Sequence, residues 1–154
     1  MTGTDRIEGV VLRAANLVGP GTSFADDGEY ARMARKRLVP VVGAGTGIWS
    51  FIHVADAARA TIAAIGHGAP GIYNIADDVP AAVAAWVPEL ARALGAKPPR
   101  HVPAGIARRV RGEVGVSLMT RVRGISNAKA VRELGWQSGA RSPMPWRTAA
   151  DARR

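Results

Sequence analysis

Residues 39–54, VPVVGAGTGIWSFIHV, decide how the fold of this chain is interpreted. A short apolar run leads into Gly43, Gly45 and Gly47, as it would in a loop that holds the pyrophosphate of a dinucleotide. Such a loop needs G-x-G-x-x-G and then a helix, but the third glycine position falls on Ile48 and the following WSFIHV favours a strand. We therefore predict a tight glycine turn between two extended segments.

Composition sets the class of protein. The 154 residues suffice for one domain, and with 47% hydrophobic but only 5% aromatic residues the core must be built mainly from aliphatic side chains. The absence of cysteine excludes disulfides and thiolate metal sites, and no histidine spacing predicts a metal site. No window is apolar enough to span a bilayer and the N-terminus lacks a signal-peptide pattern, so we expect a cytoplasmic protein.

The chain is strongly basic, with a formal net charge of +9. Residues 97–132 hold nine Lys or Arg and one acid, Glu113. This stretch is interpreted as a solvated face or a site for an anionic small molecule, as a surface for an acidic protein, or as a nucleic-acid surface. Nucleic acid is the least favoured, because no helix-turn-helix or aromatic-interleaved basic motif is present.

Apolar periodicity predicts four or five short strands that alternate with helices, an α/β pattern. The predicted strands and extended segments are residues 8–14 (buried), 39–42, 49–54, 71–76 and 100–103. The predicted helices are residues 29–38, 56–65, 80–94 (with Pro88 starting a second helix or kinking one), 104–122 (broken at Gly112 and Gly115) and 127–134 (capped by Ser126, ended by Gly135). Residues 16–21 are a predicted turn.

Four segments together resemble a known family. They are GVVLRAANLVGPG (residues 9–21), PVVGAGTGIWSFIHVADAARA (40–60), GIYNIADD (71–78) and SNAKAVRELGW (126–136). In this order they resemble the second half of the extended short-chain dehydrogenase/reductases, the NAD-dependent epimerase/dehydratase family. The resemblance implies a partial Rossmann-like fold, with residues 1–136 as a C-terminal substrate-binding portion and residues 137–154 as a partly disordered tail. The best fit is to members that act on nucleotide sugars or related small carbonyl and hydroxyl substrates.

The resemblance also implies parts that this chain lacks. The family binds NAD(P) through an N-terminal G-x-x-G-x-x-G and transfers protons with a Tyr-x-x-x-Lys pair. This chain has two tyrosines, Tyr30 and Tyr73, and the fourth residue after each is Ala34 or Asp77. We therefore predict no catalytic residue here, and expect NAD or NADP to be bound by full-length members and not by this chain alone.

Candidate substrate contacts follow from the same resemblance. It implies a substrate-binding amide at Asn16, an anion-binding guanidinium at Arg123, and backbone contacts to the nicotinamide at Ala14 and Ala15. Trp49 is interpreted as lining the pocket mouth or filling the core. From the residues alone, Asn16 is equally well a turn cap and Arg123 equally well a surface residue.

Three further polar residues have structural interpretations. Arg13 is expected to lean inward and pair with a structural carboxylate. His53 is expected to be a hydrogen-bonded core histidine, and Asp56 to cap the helix that follows it.

Three functions compete at this point. The first is the substrate-binding portion of an NAD(P)-dependent, nucleotide-sugar epimerase/dehydratase-like oxidoreductase, inactive alone. The second is a non-enzymatic binding module or truncated gene product, which pairs with a separate Rossmann-half chain or forms homo-oligomers through an unpaired strand edge. The third is nucleic-acid binding. The first two predict a small-molecule partner, and none predicts contact with a membrane.

Overall fold

The computed structural model describes residues 9–139. Within this range the strands are β1 (Val10–Ala14), β2 (Asn16–Val18), β3 (Val41–Val42), β4 (Ile48–Trp49), β5 (Phe51–His53), β6 (Gly71–Ile75), β7 (Ala81–Ala82) and β8 (His101–Val102). The helices are α1 (Glu29–Arg35), α2 (Val54–His67), α3 (Val83–Ala93), α4 (Ala104–Thr120) and α5 (Ala128–Leu134). The alternation of strands and helices confirms the predicted α/β class.

The first extended segment changes its neighbour halfway along. Strand β1 pairs in parallel with β6, whereas β2 pairs in parallel with β5. The change falls at Ala15, whose N–H donates to the carbonyl of Ile75 (2.9 Å), while the N–H of Asn16 donates to that of Ser50 (3.2 Å). In open α/β sheets, a crevice opens at the carboxyl ends of strands that diverge in this way.

The described residues bury three hydrophobic clusters. The largest gathers the aromatic side chains Phe24, Trp49, Phe51 and Trp86 between the strands, α1 and α3. The second lies between α2, α5 and β6, and the third is a small group under α4. Two further strand pairs, β3–β8 (parallel) and β4–β7 (antiparallel), lie beside the large cluster and contribute residues to it.

Strand β1 is exposed, so the predicted burial of residues 8–14 is wrong over the described part. Val11 and its register partner Ile72 are each 51% exposed, and Val10 is 36% exposed. Helix α2 packs against β1 on one side, but no described residue pairs with the outer edge of β1 or covers this apolar face. A β-branched run specifies a strand; its burial depends on what covers it.

Two local predictions are corrected around the next turns. Residues 16–18 are strand, because β2 pairs with β5 and both the backbone N–H and the side-chain amide of Asn16 donate to the carbonyl of Ser50, which precedes β5; the turn begins only at Gly19. Helix α2 begins at Val54, and its N-cap is His53, whose Nδ1 accepts from Ala55 N–H (3.2 Å). Asp56 therefore lies inside the first turn, where it is 3% exposed and paired with Arg59.

Helices α3 and α4 contain the predicted irregularities. Pro88 lies within a single helix, α3, and starts no second one. Gly112 (φ +70°, ψ 178°) breaks α4 as predicted, whereas no break occurs at Gly115. Across the break, Glu113 pairs with Arg108 (2.5 Å) and Arg121 (3.0 Å). These hydrogen bonds and charges hold the pKa of the Glu113 carboxyl below its ordinary value, in spite of some desolvation.

The final helix ends as predicted at Gly135, which has a φ of +62°. Its N-cap is Asn127 and not the predicted Ser126, although the Ser126 hydroxyl accepts from Ala128 N–H (3.3 Å). Residues 138 and 139 bond to Asp78 and Asp56, and the rest of the predicted tail, residues 140–154, lies outside the described residues. Over residues 9–139, no helix combines the length and apolar character needed to cross a membrane.

Candidate functional site

A cavity of about 330 Å³ lies where β1 and β6 part from β2 and β5. It collects residues from three stretches of the chain: the strand switch, the segment after the glycine turn, and the end of α4 with the loop that follows. They are Ala14, Ala15, Asn16, Ile48, Trp49, Ser50, Leu118, Val122, Arg123, Gly124 and Ile125. The structure thus brings together all five predicted binding residues, although their specific contacts with a substrate or cofactor stay predictions.

Asn16 and Ser50 form the polar floor of this cavity. The Asn16 amide donates to the Ser50 carbonyl (2.9 Å), and the Ser50 hydroxyl accepts from Ile125 N–H (3.0 Å). Asn16 therefore fixes the switch point and does not cap a turn. The Asn16 Oδ1 has no hydrogen-bond partner among residues 9–139, so the amide retains an acceptor for a ligand.

Arg123 is held by its neighbours while its guanidinium stays available. The carbonyl of Val122 accepts from Ile48 N–H (2.7 Å), and Ile125 is bonded to Ser50. Gly124 lets the loop approach, because a Cβ there would lie 3.0 Å from Pro80 Cβ. Arg123 itself is exposed and forms no hydrogen bond or ion pair with any described residue, so its guanidinium can bind an anion at the cavity.

Trp49 fulfils both interpretations made from the sequence. Its side chain is buried at 6% exposure and packs 5.0 Å from the ring of Trp86, which makes it part of the core. Its ring also lines the cavity, and its Nε1–H donates to the carbonyl of Leu118 (2.8 Å). The bond fixes the indole against the second half of α4.

The glycine turn has no free donors for a phosphate. All three glycine N–H groups donate to protein carbonyls: Gly43 to Val102 (2.9 Å), Gly45 to Val42 (2.9 Å) and Gly47 to Met119 (3.0 Å). With φ of +55° and +60°, Gly43 and Gly45 make the tight turn that the sequence predicts.

The nearest helix N-terminus is also occupied. The carbonyls of Gly45 and Gly47 accept from the first N–H groups of α3, those of Ala84 (3.0 Å) and Val83 (2.9 Å). In a dinucleotide loop these orphan donors would face the pyrophosphate. This turn therefore does not fit the phosphates of NAD(P). The N–H of Ala15 likewise donates to the carbonyl of Ile75. The groups of Ala14 and Ala15 that remain for a nicotinamide ring are therefore mainly carbonyls and methyl groups.

Arg13 and His53 lie outside this site. Arg13 is exposed, and its Nε donates to the amide oxygen of Asn74 (3.0 Å), so the predicted inward carboxylate partner is wrong. His53 is half-buried and hydrogen-bonded, but as a helix cap. Within residues 9–139, no group of three or more metal-ligating side chains is placed to hold a metal ion.

Sequence reasoning missed the apolar walls. Ile48, Leu118 and Ile125 line the cavity, yet Leu118 and Ile125 lie outside the motif segments, and the sequence marks Ile48 only as the missing third glycine of a loop. Ser50 was also missed, although it joins β2 to the Arg123 loop. The only available signal was its position between an aromatic residue and a β-strand, which is too common to indicate a site.

The parallel strand pairs, the switch point and the flanking helices define a Rossmann-like α/β protein. Two solved structures have this fold: a human epimerase family protein with NADPH (TM-score 0.68, 20% identity, 86% of this chain and 44% of that one) and dTDP-glucose 4,6-dehydratase from Streptomyces venezuelae with NAD (TM-score 0.65, 20% identity, 96% and 44%). At these identities the likeness establishes the fold, that of the extended short-chain dehydrogenase/reductases.

Sequence comparison narrows the class to a family. The model of the NAD dependent epimerase/dehydratase family matches residues 2–76. A curated relative, the 3-diazoavenalumate denitrifying reductase of Streptomyces sp., is 42% identical over 131 residues, which are 85% of this chain and 43% of the relative. The predicted resemblance to the NAD-dependent epimerase/dehydratase family is confirmed over residues 2–76, and the chain spans less than half the length of the curated relative.

Proposed function

We propose that this chain supplies the substrate-binding wall of an NAD(P)-dependent reductase, and that the substrate is a small, largely apolar organic acid. The observation that carries the proposal is the cavity at the strand switch point, where the unpaired guanidinium of Arg123 faces a ligand space walled by Trp49 and aliphatic side chains. The 42% identity to a reductase named for 3-diazoavenalumate supports a reductive reaction on a small organic molecule.

Each residue of the cavity has a separate part in this proposal. Arg123 binds the acidic group with two parallel hydrogen bonds. Trp49 presents a fixed ring to the apolar body, and Asn16 accepts a hydrogen bond at the inner end. Ala14 and Ala15 face the nicotinamide, which supplies the hydride when bound. Because the glycine N–H groups of the turn are all hydrogen-bonded within the protein, we expect no reductase activity from the chain by itself.

A nucleotide sugar is the second candidate, favoured by the name of the dTDP-glucose dehydratase that shares the fold. Recognition of a sugar needs several free donors and acceptors, because each hydroxyl left unpaired on burial costs free energy. Here one N–H of the Asn16 amide and the hydroxyl lone pair of Ser50 are engaged within the protein, and Ile48, Leu118 and Val122 are apolar. These features favour the organic acid.

The two candidates differ in what the chain binds without a cofactor. Isothermal titration of the 154-residue chain with 4-hydroxycinnamate, and separately with UDP-glucose, compares them directly. We expect saturable binding of the acid, weakened about 10- to 100-fold in R123Q, since a hydrogen bond to a charged group contributes about 1.5–3 kcal/mol.

The matched control is R121Q, because Arg121 is two residues away but paired with Glu113 and outside the cavity lining. It should bind the acid like the unmodified chain. Tighter binding of UDP-glucose than of the acid, or equal losses in R121Q and R123Q, contradicts the proposal.

A further inference from the structure

A second cavity, of about 140 Å³, lies on the other side of Trp49 and Leu118. It opens between α1, β3 and α4, and the proposed function does not use it. Its lining is apolar except for Arg111 and the hydroxyl of Tyr30: Tyr30, Met33, Leu38, Val39, Pro40, Val42, Trp49, Ala107, Arg111, Gly115, Leu118 and Met119.

The wall between the two cavities is closed by the protein itself. Trp49 and Leu118 line both, and the hydrogen bond from the indole to the Leu118 carbonyl (2.8 Å) joins them. The indole and the Leu118 backbone therefore lie between the two cavities. The second cavity has its own lining, and the half-exposed side chain of Leu38 is its most exposed large apolar residue, so we place the entrance there.

The size and lining of this space suit one aromatic ring. An engineered apolar cavity of about 150 Å³ in another protein binds benzene, so a space of about 140 Å³ is large enough for one ring. Met33 and Met119 have flexible, polarisable side chains that adapt to a ring, and Trp49 adds an aromatic residue to the lining.

A cation stands at the rim. Arg111 is exposed, donates through Nη2 to the Leu38 carbonyl (3.0 Å), and makes no ion pair with any described residue. Its remaining N–H groups are free for an anion. Burial and Glu29 raise the pKa of Tyr30, while the positive charge of Arg111 opposes this rise, so the guanidinium also acts on the cavity interior.

We propose that this second cavity binds a single-ring aromatic carboxylate, with the ring between Trp49 and Met119 and the carboxylate on Arg111. The site is independent of the first cavity and of its proposed substrate. A nucleotide, with its base, ribose and phosphate, exceeds this volume and carries more polar groups than Arg111 and the Tyr30 hydroxyl can pair.

The experiment uses the full 154-residue chain with 13C-labelled methionine methyl groups. Met33 and Met119 line the second cavity and not the first, so a shift of both methyl signals, assigned with M33L and M119L, reports this site. Titration with benzoate should shift both signals saturably. R111Q should weaken benzoate at least 5-fold, whereas R109Q and R123Q should leave it unchanged.

A closing variant provides an independent check. Leu38 is half-exposed at the mouth, so L38W should block entry while circular dichroism stays native. Absence of saturable shifts at both methyl groups overturns the proposal. So does unchanged affinity in R111Q, or displacement of benzoate from these signals by lower concentrations of uridine monophosphate. Because the methyl signals do not report the first cavity, these results are independent of the R123Q result above.

Discussion

Replacing Gly45 by alanine should destabilise the chain far more than the same change at Gly43, although both glycines have a positive φ. An alanine in the left-handed region costs about 1–2 kcal/mol, and this cost is common to the two variants. At Gly43 the new Cβ would meet only Ala104 and Thr120 side chains at 3.8 Å, an ordinary contact. G43A should therefore lose about 1–2 kcal/mol of unfolding free energy.

At Gly45 the new Cβ would lie 2.8 Å from the backbone nitrogen of Ala84 and from Cγ1 of Val41. Relief requires movement of the first turn of α3, where Ala84 N–H bonds to the Gly45 carbonyl. Overpacking of this kind adds about 1–3 kcal/mol, so G45A should lose about 2–5 kcal/mol in total.

Equilibrium urea unfolding, followed by circular dichroism, measures both variants. The expected result is a lower midpoint for G45A than for G43A at similar slopes. If G43A loses as much as G45A, or if G45A loses less than about 1 kcal/mol, the turn does not have the packing role derived from its contacts. A cofactor loop would instead show altered NADPH affinity with little change in stability.

Three other predictions concern α4, Trp49 and the exposed sheet face. Glu113 has a lowered pKa, so its ion pairs stabilise the folded chain fully above the ordinary carboxyl pKa of 4.5, and this stabilisation is lost as the pH falls through the depressed value. The stability difference between the chain and E113Q, measured by urea unfolding, should therefore shrink over that acidic range. A difference that does not depend on pH would contradict this prediction. W49F removes the hydrogen bond to the Leu118 carbonyl, so it should lose about 1–3 kcal/mol of stability and change the affinity for 4-hydroxycinnamate. The control W136F removes the hydrogen bond to the Asp56 carbonyl, outside the cavity lining, and should lose stability alone. Equal effects of the two variants on ligand affinity would contradict this prediction. I72K places a charge on the apolar face that Ile72 shares with Val11, so it should reduce self-association measured by sedimentation velocity. The control K97Q, on another surface, should leave self-association unchanged. Unchanged self-association in I72K would show that this face does not mediate it.

Local sequence signals predicted most of the fold because the responsible interactions are short in range. Gly135 ends α5 through its left-handed φ, and Gly112 breaks α4 for the same reason. The turn at Gly43 and Gly45 was predictable from the β-prone residues that follow it.

The errors arose where a distant segment decides the outcome. Burial of Val11 depends on whether another segment covers it, and local sequence does not reveal this. The N-cap of α2 is His53 and not Asp56, because β5 runs directly into the helix. Asn16 lies in a strand and not in the predicted turn, because its side-chain amide donates a hydrogen bond to the carbonyl of Ser50, 34 residues away.

The candidate site was half predictable. Asn16 and Trp49 lie in motif segments and Arg123 followed from the family resemblance, whereas Leu118 and Val122 reach the cavity only through the path that the chain takes after the break at Gly112. A helical apolar pattern cannot reveal that path.

The central claim is that these residues form a substrate wall and provide no cradle for dinucleotide phosphates. Isothermal titration calorimetry of the 154-residue chain with NADPH tests this most directly, and the same titration with 4-hydroxycinnamate is the positive control. We expect saturable heat from 4-hydroxycinnamate and none from NADPH. Saturable NADPH binding that G43A abolishes would contradict the claim.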